Sequence, residues 1–156
     1  MKDFVNVGLL GAGTVGGGVL KVLEKNAEKI AKEVGKPVRI TKVLDRHVDR
    51  LKQEYGDKYI FTDNADEVLE DKDIDIIVEL LGREHPAKEF IARAFANGKH
   101  VVTANKDVLA KFGSELFPLA HEHNCDFMFE ASVCGGIPII GPLKTSMAAN
   151  QITSIM

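Results

Sequence analysis

The sequence predicts a doubly wound α/β domain with a mainly parallel sheet and helices on both faces. Three observations carry this prediction. Strand-like apolar runs alternate with helix-period segments along almost the whole chain, the pattern of strands joined by helical crossovers. The run Ile74–Leu81 is nearly continuous in apolar residues, as suits a strand covered on both faces. The glycine-rich stretch "GLLGAGTVGGGV" lies between the first apolar run and the first helix-period segment.

The composition fits one ordinary domain. The chain has 156 residues, 45% of them hydrophobic and 28% charged, enough for a substantial core. The net charge is −3 with no long run of one sign, which argues against nucleic acid as the main partner. No stretch of about 18 apolar residues is present, so no membrane span is expected. The start, "MKDFVNVGLL", reads as an opening strand rather than a signal peptide. Cys125 and Cys134 show neither metal-site nor disulfide-framework spacing. A reducing, cytoplasmic setting is the expectation.

The elements follow in order. Phe4–Leu10 is short, apolar and rich in β-branched residues, a first strand. Thr14–Val34 carries apolar residues near a 3.6 period and reads as one helix, stopped by "GKP". Val38–Leu44 and Tyr59–Thr62 read as strands, and Asp63 offers a cap for a short helix. Ile74–Leu81 is the next strand. A helix then runs from Pro86 to Gly98 with Phe90, Ile91, Ala94 and Phe95 as its buried stripe. His100–Ala104 is a strand. Lys106–Lys111 and Ser114–His123 look like helical turns broken at Gly113. Asp126–Ala131 reads as a strand, "CGGIPIIGP" as a loop, Leu143–Ala149 as a helix, and Ile152–Met156 as the start of something β-like.

The glycines answer to a mechanism. Gly11, Gly13 and Gly16 of "GAGTVG" match G-x-G-x-x-G between a strand and a helix, the dinucleotide-binding fingerprint of a Rossmann-like fold. Gly11 serves the tight turn, Gly13 lets the backbone approach a pyrophosphate, and Gly16 allows close helix–sheet packing. Thr14 and Val15 sit between them, where the helix N-terminus presents N–H groups to phosphate. The fingerprint also asks for an acid ending the second strand. Asp45 stands there, farther from Gly16 than the usual spacing of about 20 residues. An acid at this position favours NAD, and the following Arg46 can accept the 2′-phosphate of NADP. The pair leaves both cofactors open.

Three later segments, "IIVELLG" (76–82), "GKHVVTANKDVLA" (98–110) and "FEASVCGGIPII" (129–140), extend the reading from cofactor to reaction. With the glycine stretch and the final "NQITSIM", the chain resembles the nucleotide-binding part of homoserine dehydrogenase over essentially its whole length. The resemblance implies NAD(P)H-dependent interconversion of aspartate 4-semialdehyde and homoserine, on the route to threonine and methionine. It places Lys106 of "TANK" between nicotinamide and substrate, where a cation can stabilise or protonate the oxygen that gains charge. It sets Thr103, Leu81 and Gly82 along the cofactor. It implies a monovalent cation, usually sodium, held by the Glu130 carboxylate and the carbonyl oxygens of Val133, Gly135 and Ile137. Cys134 departs from the family pattern, where a small glycine is common. Family enzymes continue well beyond this length, through a region that supplies further substrate residues and forms a homodimer. The chain is therefore expected to be one NAD(P)-binding domain spanning 1–156, a fragment of a longer enzyme, monomeric and inactive alone. Two other functions are conceivable: a semialdehyde dehydrogenase using Cys134 as nucleophile, and a non-catalytic module sensing NAD(H). "HEH" at His121–His123 is a poor metal pair, because positions i and i+2 do not share a helix face.

Overall fold

The computed structural model describes residues 2–154. Six strands form one sheet in the order β3-β2-β1-β4-β5-β6, and every pairing is parallel. They are β1 (Val5–Leu10), β2 (Val38–Leu44), β3 (Ile60–Thr62), β4 (Ile76–Glu79), β5 (His100–Thr103) and β6 (Phe127–Met128). The helices are α1 (Thr14–Lys25), α2 (Ala27–Val34), α3 (Val48–Tyr55), α4 (Asp66–Leu69), α5 (Ala87–Ala96), α6 (Lys106–Glu122) and α7 (Ile140–Lys144), with a 3-10 turn at Glu130–Ser132. The strand order runs outward in both directions from β1 and β4, so the doubly wound prediction holds. The crevice over the carboxyl ends of β1 and β4 is the topological switch point, where open α/β sheets bind ligands.

Strand alternation divides the core in two. Val7 and Leu9 of β1 pack with Leu20, Val43, Leu51 and Phe61 on the α1/α3 face. Leu10 turns to the other face, with Ile77, Ile91, Phe95, Val101 and Leu116. Phe95, Ile91 and Ala94 are completely buried, as the stripe on the predicted helix requires. Burial of such side chains contributes about 1.5–3 kcal/mol each and dominates local preferences.

That dominance explains several departures from expectation. The predicted break at Gly113 is absent, and α6 runs unbroken through Gly113 and Pro118. Glycine costs a helix about 1 kcal/mol, and burial of Val108, Leu116 and Ala120 outweighs it. Conversely, the single helix predicted over Thr14–Val34 divides at Asn26, whose φ of −112° leaves the helical region. The Asn26 side-chain amide donates to the Val22 carbonyl and closes α1. Helix α3 was not foreseen, although Val48, Leu51 and Tyr55 mark its inner face and Leu51 is fully buried. Asp63 is not the cap of α4. Thr62 and Asn64 make that turn instead, accepting from the N–H groups of Asn64 and Asp66.

The last third is shorter in regular structure than expected. β6 spans two residues rather than Asp126–Ala131, because the chain bends into the 3-10 turn at Glu130. The predicted helix Leu143–Ala149 lies earlier, as α7. Residues 152–154 are not in a strand, and 155–156 lie outside the described residues.

Candidate cofactor site

Two of the three fingerprint glycines are required by packing and one is not. A Cβ on Gly16 would lie 2.0 Å from the Gly11 carbonyl oxygen, so α1 starts directly against the turn after β1. Gly11 has φ +95°, and a Cβ there would meet the Leu80 carbonyl oxygen at 2.9 Å. A Cβ on Gly13 would have nothing within 4 Å. Gly13 is exposed, and no side chain caps α1 behind it. The first N–H groups of that helix have no intrahelical acceptor. Thr14 and Val15 are exposed as well, so these groups stand open with a partial positive charge. Gly17 and Gly18 lie on the same helix. A Cβ on Gly17 would reach ordinary contact with the Tyr55 hydroxyl, and one on Gly18 would meet open space.

Asp45 closes this loop. Its Oδ2 accepts from the Ala12 N–H at 2.9 Å and its Oδ1 from the His47 N–H at 2.8 Å. Partial burial pushes its carboxyl upward. The N–H groups of His47 and Ala12 and the charge of Arg50 outweigh that and hold it below its ordinary value. The carboxylate therefore stays ionised at neutral pH. A carboxylate has about four acceptor positions, and the two N–H groups leave two for a ribose hydroxyl.

Two recesses lie along the crevice. The first, of about 300 Å³, opens beyond Asp45 and Arg46 and is walled by Leu44, Ala65, Leu81 and Pro86. Apolar walls with a charged rim suit a flat heterocycle attached to a sugar. The second, of about 100 Å³, lies between Val15, Leu80, Gly82, Ala104 and Asn105. Val15 is 59% exposed although apolar, as befits a residue that meets a ligand rather than the core. Larger hollows exist, of about 590 Å³ outside α3 and about 330 Å³ at the opposite end of the sheet around Lys99. The first shares Arg46 and Asp63 with the recess beyond Asp45, and the second is at the amino ends of β4 and β5.

Lys106 is the first residue of α6, one position beyond the wall of the smaller recess. It is exposed, and its ammonium forms no ion pair among the described residues. Thr103 does not line the crevice. It is completely buried, and its hydroxyl donates to Glu79 Oε2 at 2.6 Å. A β5 residue on the α5/α6 face points under the recess floor, which the sequence spacing did not reveal. Leu81 and Gly82 divide their work, Leu81 in the larger recess and Gly82 in the smaller.

Glu130 is bound to backbone. Its carboxylate accepts from the N–H groups of Ile139, Ile140 and Gly141. The Gly141 N–H, followed by those of Ile140 and Ile139, outweighs the opposing effect of desolvation and keeps its carboxyl below the ordinary value. Val133 is half-buried, and Gly135 and Ile137 are exposed. The Cys134 thiol is exposed, with no hydrogen-bond partner and no adjacent base among the described residues. It thus lacks the activation a nucleophilic thiol needs. No cluster of His, Cys, Asp and Glu suited to a metal ion occurs among the described residues, so His121 and His123 remain a solvated helix end. No helix is long and apolar enough to cross a membrane among the described residues.

Sequence reasoning missed Glu79, Asn105 and Ser132. Asn105 caps α6, accepting from the Val108 N–H, and donates to the Arg83 carbonyl at 2.8 Å. Ser132 donates to the Thr103 carbonyl. An acid inside the apolar run "IIVELL" was the one visible signal.

Comparison with known proteins agrees with this geometry. The family model "Homoserine dehydrogenase, NAD binding domain" matches residues 11–130. The chain is 47% identical over 151 residues to a homoserine dehydrogenase of Neisseria gonorrhoeae, covering 97% of this chain and 34% of that protein. The crystal structure of a homoserine dehydrogenase from Thiobacillus denitrificans superposes with a TM-score of 0.90 at 46% identity, over 96% of this chain and 34% of that one. A hyperthermophilic archaeal homoserine dehydrogenase in complex with NADPH superposes with a TM-score of 0.74 at 27% identity, over 90% of this chain and 48% of that one. The chain spans about a third of the length of the bacterial relative it matches.

Proposed function

The chain belongs to the homoserine dehydrogenase family and carries that family's NAD-binding domain, and from this premise we propose that it holds NAD(P)H across the switch-point crevice for the interconversion of aspartate 4-semialdehyde and homoserine. The observation that carries the reading is Gly13. Its neighbours Gly11 and Gly16 are bare because protein atoms crowd them, whereas Gly13 is bare with nothing beside it. A glycine that packing does not require, at a helix N-terminus with open N–H groups, suits the approach of a pyrophosphate.

The residues present fit the cofactor. The adenosine half takes the larger recess, with the free acceptor positions of Asp45 toward the ribose and Arg46 at the rim. The nicotinamide half takes the smaller recess against Val15 and Leu80. When bound, the reduced cofactor supplies a hydride to the aldehyde carbon, and the carbonyl oxygen takes the displaced electron pair and a proton. Lys106 holds its ammonium on that side, where it stabilises the charge on oxygen and can donate the proton. The glycine loop and α1 hold the phosphates, and the apolar walls keep water from the ring.

Glu130 does not stand free as a cation ligand. Three N–H groups take three of the about four acceptor positions of its carboxylate, which leaves one toward an ion held by the carbonyls of Val133, Gly135 and Ile137.

Separate fluorescence titrations with NADPH and NADH test the reading. The chain has no tryptophan, so nicotinamide emission is seen without energy transfer from indole. Saturable binding of both is expected. Asp45→Asn is expected to weaken NADH by about tenfold and NADPH by less, because Asp45 serves a ribose hydroxyl but repels a 2′-phosphate. Binding of neither cofactor would overturn the reading. A larger loss for NADPH than for NADH would overturn the role given to Asp45.

A further inference from the structure

Glu79 is the one acid buried among the described residues, with no exposed surface at all. It ends β4, immediately before the Leu80 wall of the smaller recess. Its Oε1 accepts from the Leu81 N–H at 2.7 Å and its Oε2 from the Thr103 hydroxyl at 2.6 Å. The Thr103 oxygen in turn accepts from the Asn105 N–H at 3.0 Å. One carboxylate therefore ties together the two loops that wall the recess, 80–82 and 104–105. Asn105 adds a second tie through the Arg83 carbonyl. No lysine, arginine or histidine among the described residues pairs with Glu79.

A buried anion without a cationic partner is costly. The carboxylate gives each of two donors, the Leu81 N–H and the Thr103 hydroxyl, its own oxygen, where a glutamine would offer them a single carbonyl. The charge this leaves in the interior calls for something to balance it. The nicotinamide ring is neutral when reduced and positive when oxidised, and the recess beside Leu80 is where the proposed reading puts it. We propose that Glu79 is a positioning residue for the nicotinamide end of the site, and that its buried charge favours the oxidised, cationic ring over the reduced one. This inference rests on the cofactor reading above. In a site with Lys106 at the opposite end of the transferred hydride, the arrangement opposes an anion to the charge growing on the ring and a cation to the charge growing on oxygen. Both interactions strengthen as the hydride moves.

The test is the affinity ratio of NADP⁺ to NADPH, with NADPH read by its fluorescence and NADP⁺ by competition against it. Glu79→Gln is expected to weaken NADP⁺ by about tenfold while NADPH changes by less than about threefold, since an unscreened buried charge acts only on the charged form. Glu79→Asp keeps the charge on a shorter stem. It is expected to weaken both forms together and hold the wild-type ratio. A purely structural role predicts the reverse pattern, with equal losses in Glu79→Gln and no change of ratio, and that result would overturn the proposal. If Glu79→Gln does not fold, comparing Glu79→Asp with Glu79→Asn isolates the charge at the shorter length, and equal ratios in those two overturn it as well. Failure of the wild-type chain to bind either form would strike the cofactor reading itself, and the proposal with it.

Discussion

Gly13→Ala is expected to fold as well as the wild type and to lose NADPH affinity by roughly 100-fold, about 2.7 kcal/mol. Gly13 has φ −73°, which alanine adopts without strain, and the added methyl meets no protein atom within 4 Å. Substitution of glycine at such a position stabilises the fold by about 0.4–1 kcal/mol through the unfolded chain. On the proposed cofactor reading, the same methyl stands where the pyrophosphate approaches. Gly16→Ala is expected to do the opposite kind of damage. Its Cβ would overlap a backbone carbonyl oxygen at 2.0 Å, and no side-chain rotation can relieve that. Overpacking of this kind costs about 3 kcal/mol, or roughly 6–12 °C in Tm for a chain of this size. Thermal melts and NADPH titrations of the two variants separate the roles. Equal melting temperatures together with equal affinities would show that the two glycines do one job.

The second large effect is on turnover. When this chain replaces the matching third of the Neisseria gonorrhoeae relative, Lys106→Ala in the chimera is expected to lower kcat by about 10²–10³-fold. The Kd for NADPH is expected to change by less than about threefold. The ammonium has no structural partner among the described residues, so its removal should leave the fold intact. Lys106→Arg should recover only part of the rate, because guanidinium keeps the charge but does not give up a proton at neutral pH. Unchanged kcat in Lys106→Ala would remove the lysine from the chemistry. Assayed alone, the 156-residue chain is expected to bind cofactor without turning over homoserine, since the walls of the smaller recess carry no titratable side chain to join Lys106.

Much of this was legible in the sequence, because the signals were local. The order of strands and helices follows from period and punctuation, and Pro86 and Gly98 do flank α5. The fingerprint located the crevice, because its three glycines fall within one strand–turn–helix unit. Asp45 could be placed from its position at the end of a strand, despite the long spacing from Gly16. What was not legible depended on tertiary packing. Gly113 looked like a break, but its close approach to Phe117 and the burial of Leu116 keep α6 whole. Thr103 sat in a motif beside the cofactor, yet strand alternation turns its hydroxyl beneath the floor toward Glu79. Glu130 looked like a free oxygen ligand until the chain folded back and brought three N–H groups onto it. Glu79 was visible as an acid in an apolar strand, but its partner Thr103 is 24 residues away, beyond the reach of local pattern.

On the proposed reading, one crevice over the carboxyl ends of β1, β2, β4 and β5 holds the whole dinucleotide. Amide chemical-shift mapping of the 17.1 kDa chain during an NADPH titration tests it most directly. Shifts are expected to concentrate at Gly11–Gly16, Asp45–Arg46, Leu81–Arg83 and Ala104–Lys106, with little change around Lys99 at the other end of the sheet. Shifts centred on Lys99, or spread without regard to the glycine loop, would contradict it.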